Sequence, residues 1–190
     1  MGATGWQYTV PYQSDMQKVL DDLKAQVFAS GEYEHPGYDG PEWLEDMGFF
    51  EADPDEREAM IEEYGMSPIK PLLDRVGVDG LLDALKELAD APLTSFDDLN
   101  ILMCFSSSGT GSILDVYDLA EKSGGYGLYP LPEEQLIELL GTTRATEEMV
   151  ETGAFSGGTD SLYKRGEGFY VVLYAGDKPD KIYIRGCSGD

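Results

Sequence analysis

Gly168-Phe169-Tyr170-Val171-Val172-Leu173-Tyr174-Ala175, then Gly176-Asp177-Lys178-Pro179-Asp180, then Lys181-Ile182-Tyr183-Ile184-Arg185-Gly186, is the stretch that decides the fold. Two runs rich in β-branched and aromatic residues flank a segment of turn formers, which predicts a C-terminal β-hairpin with a five-residue turn. A second strand signal stands at the other end of the chain. Gly5-Trp6-Gln7-Tyr8-Thr9-Val10-Pro11-Tyr12 alternates aromatic or β-branched residues with others, and Pro11 suits a strand end or an edge.

Helical periodicity fills the space between the two. Met16, Val19, Leu20, Leu23, Val27 and Phe28 recur on one face before Gly31, and Ser14 with Gln17 matches a capping box that would start this helix. Asp53-Pro54-Asp55-Glu56 reads as a second start, with Asp53 as N-cap, Pro54 in the first turn and Glu56 closing the box, for a helix to about Tyr64. Pro68 and Pro71 interrupt the chain, and Val78, Leu81, Leu82, Leu85, Leu88 and Ala89 predict a further helix up to Pro92. Ser95 caps another turn, Ser112 to Leu119 reads as a strand, Pro132 to Leu140 as a helix ending at Gly141, and Thr146 to Glu151 as a short helix. Strands at both ends with helices between them predict an α+β fold. Its antiparallel sheet would include the C-terminal hairpin and pack against several helices on one face. No internal repeat is present.

At 190 residues, with 42 % hydrophobic and 11 % aromatic content, the chain can bury a core as one domain, residues 1–190, carrying a lobe at about 31–66. That lobe holds most of the unusual chemistry. Between Gly31 and Glu63 stand thirteen carboxylates and one base, Arg57, so thirty-three residues supply −12 of the net −24. Mixed with Pro36, Gly37, Gly40 and Pro41, the segment from Gly31 to Phe50 reads as an irregular loop or insertion with a short helical turn, and Gly31 to Asp55 is the stretch with the strongest disorder signal. No run reaches the roughly 18 to 20 apolar residues that span a bilayer, and Met1-Gly2-Ala3-Thr4-Gly5 has neither the basic nor the apolar region of a signal peptide; a cytoplasmic location is expected.

Catalytic signals are weak. Ser106-Ser107-Ser108-Gly109-Thr110-Gly111-Ser112 resembles a phosphate cradle, yet it has no base between Arg75 and Lys122 and runs into a β-like sequence instead of a helix. Asp53 and Asp55 open like a calcium loop, but Arg57 stands at the third ligand position, and helix capping explains the same residues. The lone His35 lacks a cysteine or serine nucleophile in its neighbourhood and reads as a surface residue. Two cysteines, Cys104 and Cys187, with one histidine cannot build a structural zinc site, and Cys104 in an apolar run reads as a reduced, buried thiol. Neither a catalytic residue, a metal nor another cofactor is therefore assigned.

Several segments are familiar together: Gly5-Trp6-Gln7-Tyr8-Thr9-Val10-Pro11-Tyr12-Gln13, Val27-Phe28-Ala29-Ser30-Gly31-Glu32-Tyr33, Ser108-Gly109-Thr110-Gly111-Ser112-Ile113-Leu114-Asp115-Val116, Gly141-Thr142-Thr143-Arg144-Ala145-Thr146, Gly166-Glu167-Gly168-Phe169-Tyr170-Val171-Val172-Leu173-Tyr174 and Ser188-Gly189-Asp190. They resemble a family of small acidic, mostly actinobacterial proteins. The resemblance spans nearly the whole chain and implies one cytosolic domain of conserved length, without implying an activity. Where that family is expected to carry a histidine, this chain has Gly111, so the resemblance implies no catalytic role for the central motif.

Concentrated negative charge speeds encounter with a basic partner, and buried Trp and Tyr anchors ringed by polar groups favour binding. The expected partner surface is Glu42, Trp43, Glu45, Asp46, Phe49, Phe50 and Glu51, with Asp55, Glu58 and Glu62 beyond it. Aromatics that merely pin the insertion to the core are the competing explanation. The function expected is an acidic protein-binding module of the immunity or inhibitor type, neutralising a basic toxin or nucleic-acid-processing enzyme. Direct nucleic-acid binding is disfavoured by charge. Two alternatives stand beside it: a small-ligand protein or enzyme with a pocket near residues 106–112, and an acidity that serves solubility alone.

Overall fold

The computed structural model describes residues 4–124, 127–153, 155, 164 and 166–188. The leading Met1-Gly2-Ala3 and closing Gly189-Asp190 of the segments quoted above lie outside these. The chain is α+β and divides into two compact units, Met1–Glu34 with Gly109–Asp190, and His35–Ser108.

The first unit is built on a five-stranded sheet ordered β1-β5-β4-β3-β2, from β1 (Gly5–Pro11), β2 (Asp118–Leu119), β3 (Gly127–Pro130), β4 (Gly168–Ala175) and β5 (Lys178–Cys187). The three long strands pair antiparallel, whereas β3 joins β4 and β2 joins β3 in parallel, so the sheet is mixed at its short edge. The predicted hairpin is present with a tighter turn. β5 begins at Lys178, leaving Gly176 and Asp177 as the loop, and Gly176 adopts φ 64°, the left-handed region that glycine enters without strain. A register shift at Leu173/Tyr174 accommodates Pro179 in the ladder.

Alternation along β4 and β5 sends Phe169, Val171, Leu173 and Tyr183 to one face. There they pack with Leu136 of α6 (Glu133–Leu140), with Phe155, and against Val150 of α7 (Glu147–Glu151). Phe155 stacks on Tyr183 at 5.4 Å. On the opposite face Ile182 and Ile184 are fully buried. Gly168 and Gly186 face each other across the ladder and make room for Trp6: a Cβ on Gly168 would lie 2.7 Å from the indole, and one on Gly186 would run into the indole and the Glu167 carbonyl.

Helix α1 (Met16–Ser30) buries Val19, Leu20, Leu23 and Val27 as expected, but its cap is Asp15, not Ser14: the Asp15 carboxylate accepts from the Lys18 N–H at 3.1 Å. The strand expected over Ser112–Leu119 is reduced to Asp118–Leu119. Ser112 Oγ accepts from the Leu114 N–H and Asp115 Oδ1 from the Thr110 N–H at 2.7 Å, so side chains take the ladder's place and wind Ile113–Asp115 into a 3-10 turn.

The second unit is helical: α2 (Glu42–Asp46), α3 (Pro54–Glu63), α4 (Lys70–Asp90) and α5 (Phe96–Met103), with a 3-10 turn at Ser67–Ile69. The capping box at Asp53 and Glu56 and the Ser95 cap form as read from the sequence. Helical structure begins before the expected Val78, at Lys70, and breaks at Gly77, whose φ of 70° and ψ of 174° lie outside helical geometry. Leu44, Phe49, Ile61, Met66, Ile69, Leu72, Leu81, Leu85, Ile101 and Phe105 form its core. Leu44 and Phe49 tie the segment expected to be irregular into that core.

Candidate functional site

The acidic unit

The charge is segregated between the two units. His35–Ser108 holds eighteen Asp and Glu against four Lys and Arg, a charge of −14 in 74 residues, leaving −10 for the 116 residues of the other unit. Among the described residues of the acidic unit the one ion pair joins Glu58 to Lys70. Glu42, Glu45, Asp46, Glu51, Asp55, Glu58 and Glu62 are all exposed.

The acids occupy both ends of the helices. Asp55 and Glu56 in the first turn of α3 complement its dipole, whereas Glu62 and Glu63 in its last turn oppose it, and neither α2, α3 nor α4 has a base in its last turn. A need for solubility alone is met equally well by acids at N-terminal turns, where they also stabilise. Acids retained at C-terminal turns cost stability.

The aromatic residues divide by burial. Phe49 is 0 % exposed and sits in the core, so its place in the expected partner surface is corrected: the side chain is spent on the unit's own packing. Trp43 and Phe50 are half-buried against the same core, each offering part of its ring to solvent. Trp43 lies between Tyr64 and Phe105, at 6.1 and 5.9 Å between ring centres, and Tyr64 is 55 % exposed. Tyr64 was not singled out by the sequence.

The ten expected residues do not converge on one pocket. Glu51 joins Glu56 and Glu63 around a floor of Ala52, Ala59 and Met60 in a groove of about 490 Å³. Glu58 lines a second hollow with Arg57, Ile61, Leu73 and Asp74. Glu42 and Trp43 line a third, of about 390 Å³, with Asp39, Gly40, Cys104, Phe105, Ser106 and Ser107. Glu45, Asp46, Asp55 and Glu62 stand outside all three. The positions 56, 59, 60 and 63 share one face of α3, so the first groove is a stripe with an apolar base and acidic rims.

In the third hollow the Ser107 N–H donates to Asp39 Oδ2 at 2.5 Å, and the Ser107 hydroxyl and N–H together hold this carboxyl below its ordinary value. Burial pushes the Cys104 thiol up to about 11, so it is neutral near pH 7; both cysteines are free, Cys104 half-buried and Cys187 buried. The amides of the serine loop at residues 106–112 are partly engaged. Two of its amides are taken by the chain's own carboxylates, Ser107 by Asp39 and Thr110 by Asp115. His35 is exposed with Nδ1 2.9 Å from its neighbour's carbonyl. Among the described residues no three His, Cys, Asp or Glu come together as a metal site, and no helix is long and apolar enough to cross a membrane.

Comparison with protein-family models, curated proteins and solved structures gives no match. Any functional reading therefore rests on the chemistry of the acidic unit itself.

Proposed function

We propose that this protein is an acidic protein-binding module of the inhibitor or immunity type, whose helical unit occupies the cationic groove of a basic toxin or nucleic-acid-processing enzyme. The supporting observation is the −14 charge of His35–Ser108, borne mostly by exposed carboxylates, of which Glu58 alone makes an ion pair within the unit among the described residues. Carboxylates along α2 and α3 stand in for the phosphates that such a groove binds, and the partner's release of counterions makes the association salt-dependent.

The test is capture from the source cell at low salt, with elution by a salt gradient, using the native chain beside a variant with Glu45, Asp46, Asp55 and Glu62 replaced by lysine. All four residues are exposed, and because Asp55→Lys puts a cation in the first turn of α3, circular dichroism verifies that the variant is folded. Capture of one basic protein by the native chain, with association slowed about 10- to 1,000-fold in the variant, supports the proposal. Equal capture by both chains, or an empty eluate, returns the acidity to a solubilising role.

A further inference from the structure

The hollow between Asp39–Trp43 and Cys104–Ser107 joins two carboxylates, Asp39 and Glu42, to the half-buried ring of Trp43, which is backed by the buried Phe105, in a cleft of side-chain size. We propose that this cleft is an anchor site for one arginine side chain of the basic partner, an inference that rests on the function proposed above. A planar guanidinium stacks on an aromatic ring and forms forked hydrogen bonds to carboxylates, which a compact ammonium does not reproduce.

The Asp39 carboxylate is held in place before anything binds. The Asp39 N–H donates to the Phe105 carbonyl at 3.0 Å, the Gly37 N–H to Ser108 Oγ at 3.2 Å, and the Asp39 carboxylate accepts from Ser107. The segments 37–39 and 105–108 are thus laced together. Gly40, at φ 88°, leaves open the space into which the Glu42 carboxylate folds, and a Cβ there would collide with it. Ordering that is already complete is not charged against binding.

Other ligand classes fit less well. An anion would meet two carboxylates, and the Ser107 amide is already engaged by Asp39. A divalent metal would find no third acidic, imidazole or thiolate ligand among the described residues. An apolar ligand would strip water from Asp39 and Glu42 without replacing it. The neutral Cys104 thiol adds no charge to the wall.

The experiment is a ¹⁵N NMR titration of the full chain with N-acetyl-arginine methylamide and, separately, its lysine counterpart, at constant ionic strength. The chain has two tryptophans, and Trp6 is buried elsewhere, so the Trp43 indole N–H is a local probe. Saturable shifts of that indole and of the Ser106 and Ser107 amides, about fivefold weaker for lysine and lost in Asp39→Asn/Glu42→Gln with the core amides of Leu81 and Leu85 unmoved, support the site. Shifts that do not saturate, that are equal for both compounds, or that fall equally on Glu51, Glu56 and Glu63 overturn it. Capture separates this inference from the reading beneath it. If the four-lysine variant loses the partner while Asp39→Asn/Glu42→Gln retains it undiminished, the anchor falls and the acidic-module reading stands; if both variants retain it, that reading falls too.

Discussion

Replacing Glu62 and Glu63 by glutamine should make the chain more stable, by about 1 kcal/mol at low ionic strength. Both side chains stand in the last turn of α3, at the negative end of the helix dipole, and that turn contains no base. An exposed carboxylate so placed costs about 0.3–1 kcal/mol, and the pair twice that. Glu62 also follows Glu58 by one turn, a like-charge spacing that adds about 0.2–0.5 kcal/mol. Against this, Glu62 helps Glu58 hold the Lys70 ammonium above its ordinary pKa, an attraction lost in the variant. The balance near 1 kcal/mol corresponds to a rise of about 2–4 °C in Tm for a chain of this size. Urea unfolding followed by circular dichroism in 10 mM and 1 M NaCl is the assay, because the screening length falls from about 30 to 3 Å between them. The gain should be present in the first and absent in the second. A variant equal to or less stable than the native chain at low salt refutes the reasoning, and with it the inference that these acids are kept at a cost.

Phe49→Ala should cost about 3–5 kcal/mol, measured by denaturant unfolding, because the ring is fully buried in the core of the acidic unit; Phe50→Ala, at a half-buried ring, should cost clearly less. A Phe49→Ala loss under 1 kcal/mol would return this residue to the surface. Glu167 should make stability depend on pH. Its burial alone raises the carboxyl pKa, but the Lys164 N–H, the Ser123 hydroxyl and the Gly124 N–H together hold it below the ordinary value of 4.5. A depressed carboxyl stabilises the folded state fully above its unfolded-state value and loses that contribution as pH falls through the lowered one. The difference between the native chain and Glu167→Gln should therefore be constant from pH 7 to about 5 and shrink below about 4.5; a pH-independent difference counts against the assignment. Cys104 should react with iodoacetamide at pH 7.5 at least about tenfold more slowly than a free cysteine, and faster only as pH approaches 11.

The elements legible in the sequence are those whose determinants lie within a few residues of one another. The hairpin is marked by its own alternation and by Gly176, and the start of α3 by Asp53 and Glu56, three positions apart and bonded to each other's backbone. β3 escaped because four residues pairing in parallel with a strand some forty positions later leave no local period. Residues 112–119 were misread because β-branched composition was outvoted by the bonds of Ser112 and Asp115. At the acidic unit, composition located the concentration of charge, but burial sorted its rings: Phe49 and Phe50 are adjacent and chemically identical, and only tertiary packing turns one inward. The pairing of Asp39 with Ser107 spans 68 positions and is invisible to any reading of spacing.

The strand order β1-β5-β4-β3-β2 also sets a timetable. β1 is made long before β5, its one neighbour in the sheet among the described residues, with Gly5 opposite Cys187 and Pro11 opposite Lys181. At about 5–20 residues per second, that first strand waits roughly 10–30 s for its partner to be synthesised. The acidic unit, one unbroken segment of chain, has no such delay. β5 lies between β1 and β4 in the sheet order, so β1 gains its ladder only once β5 has been made.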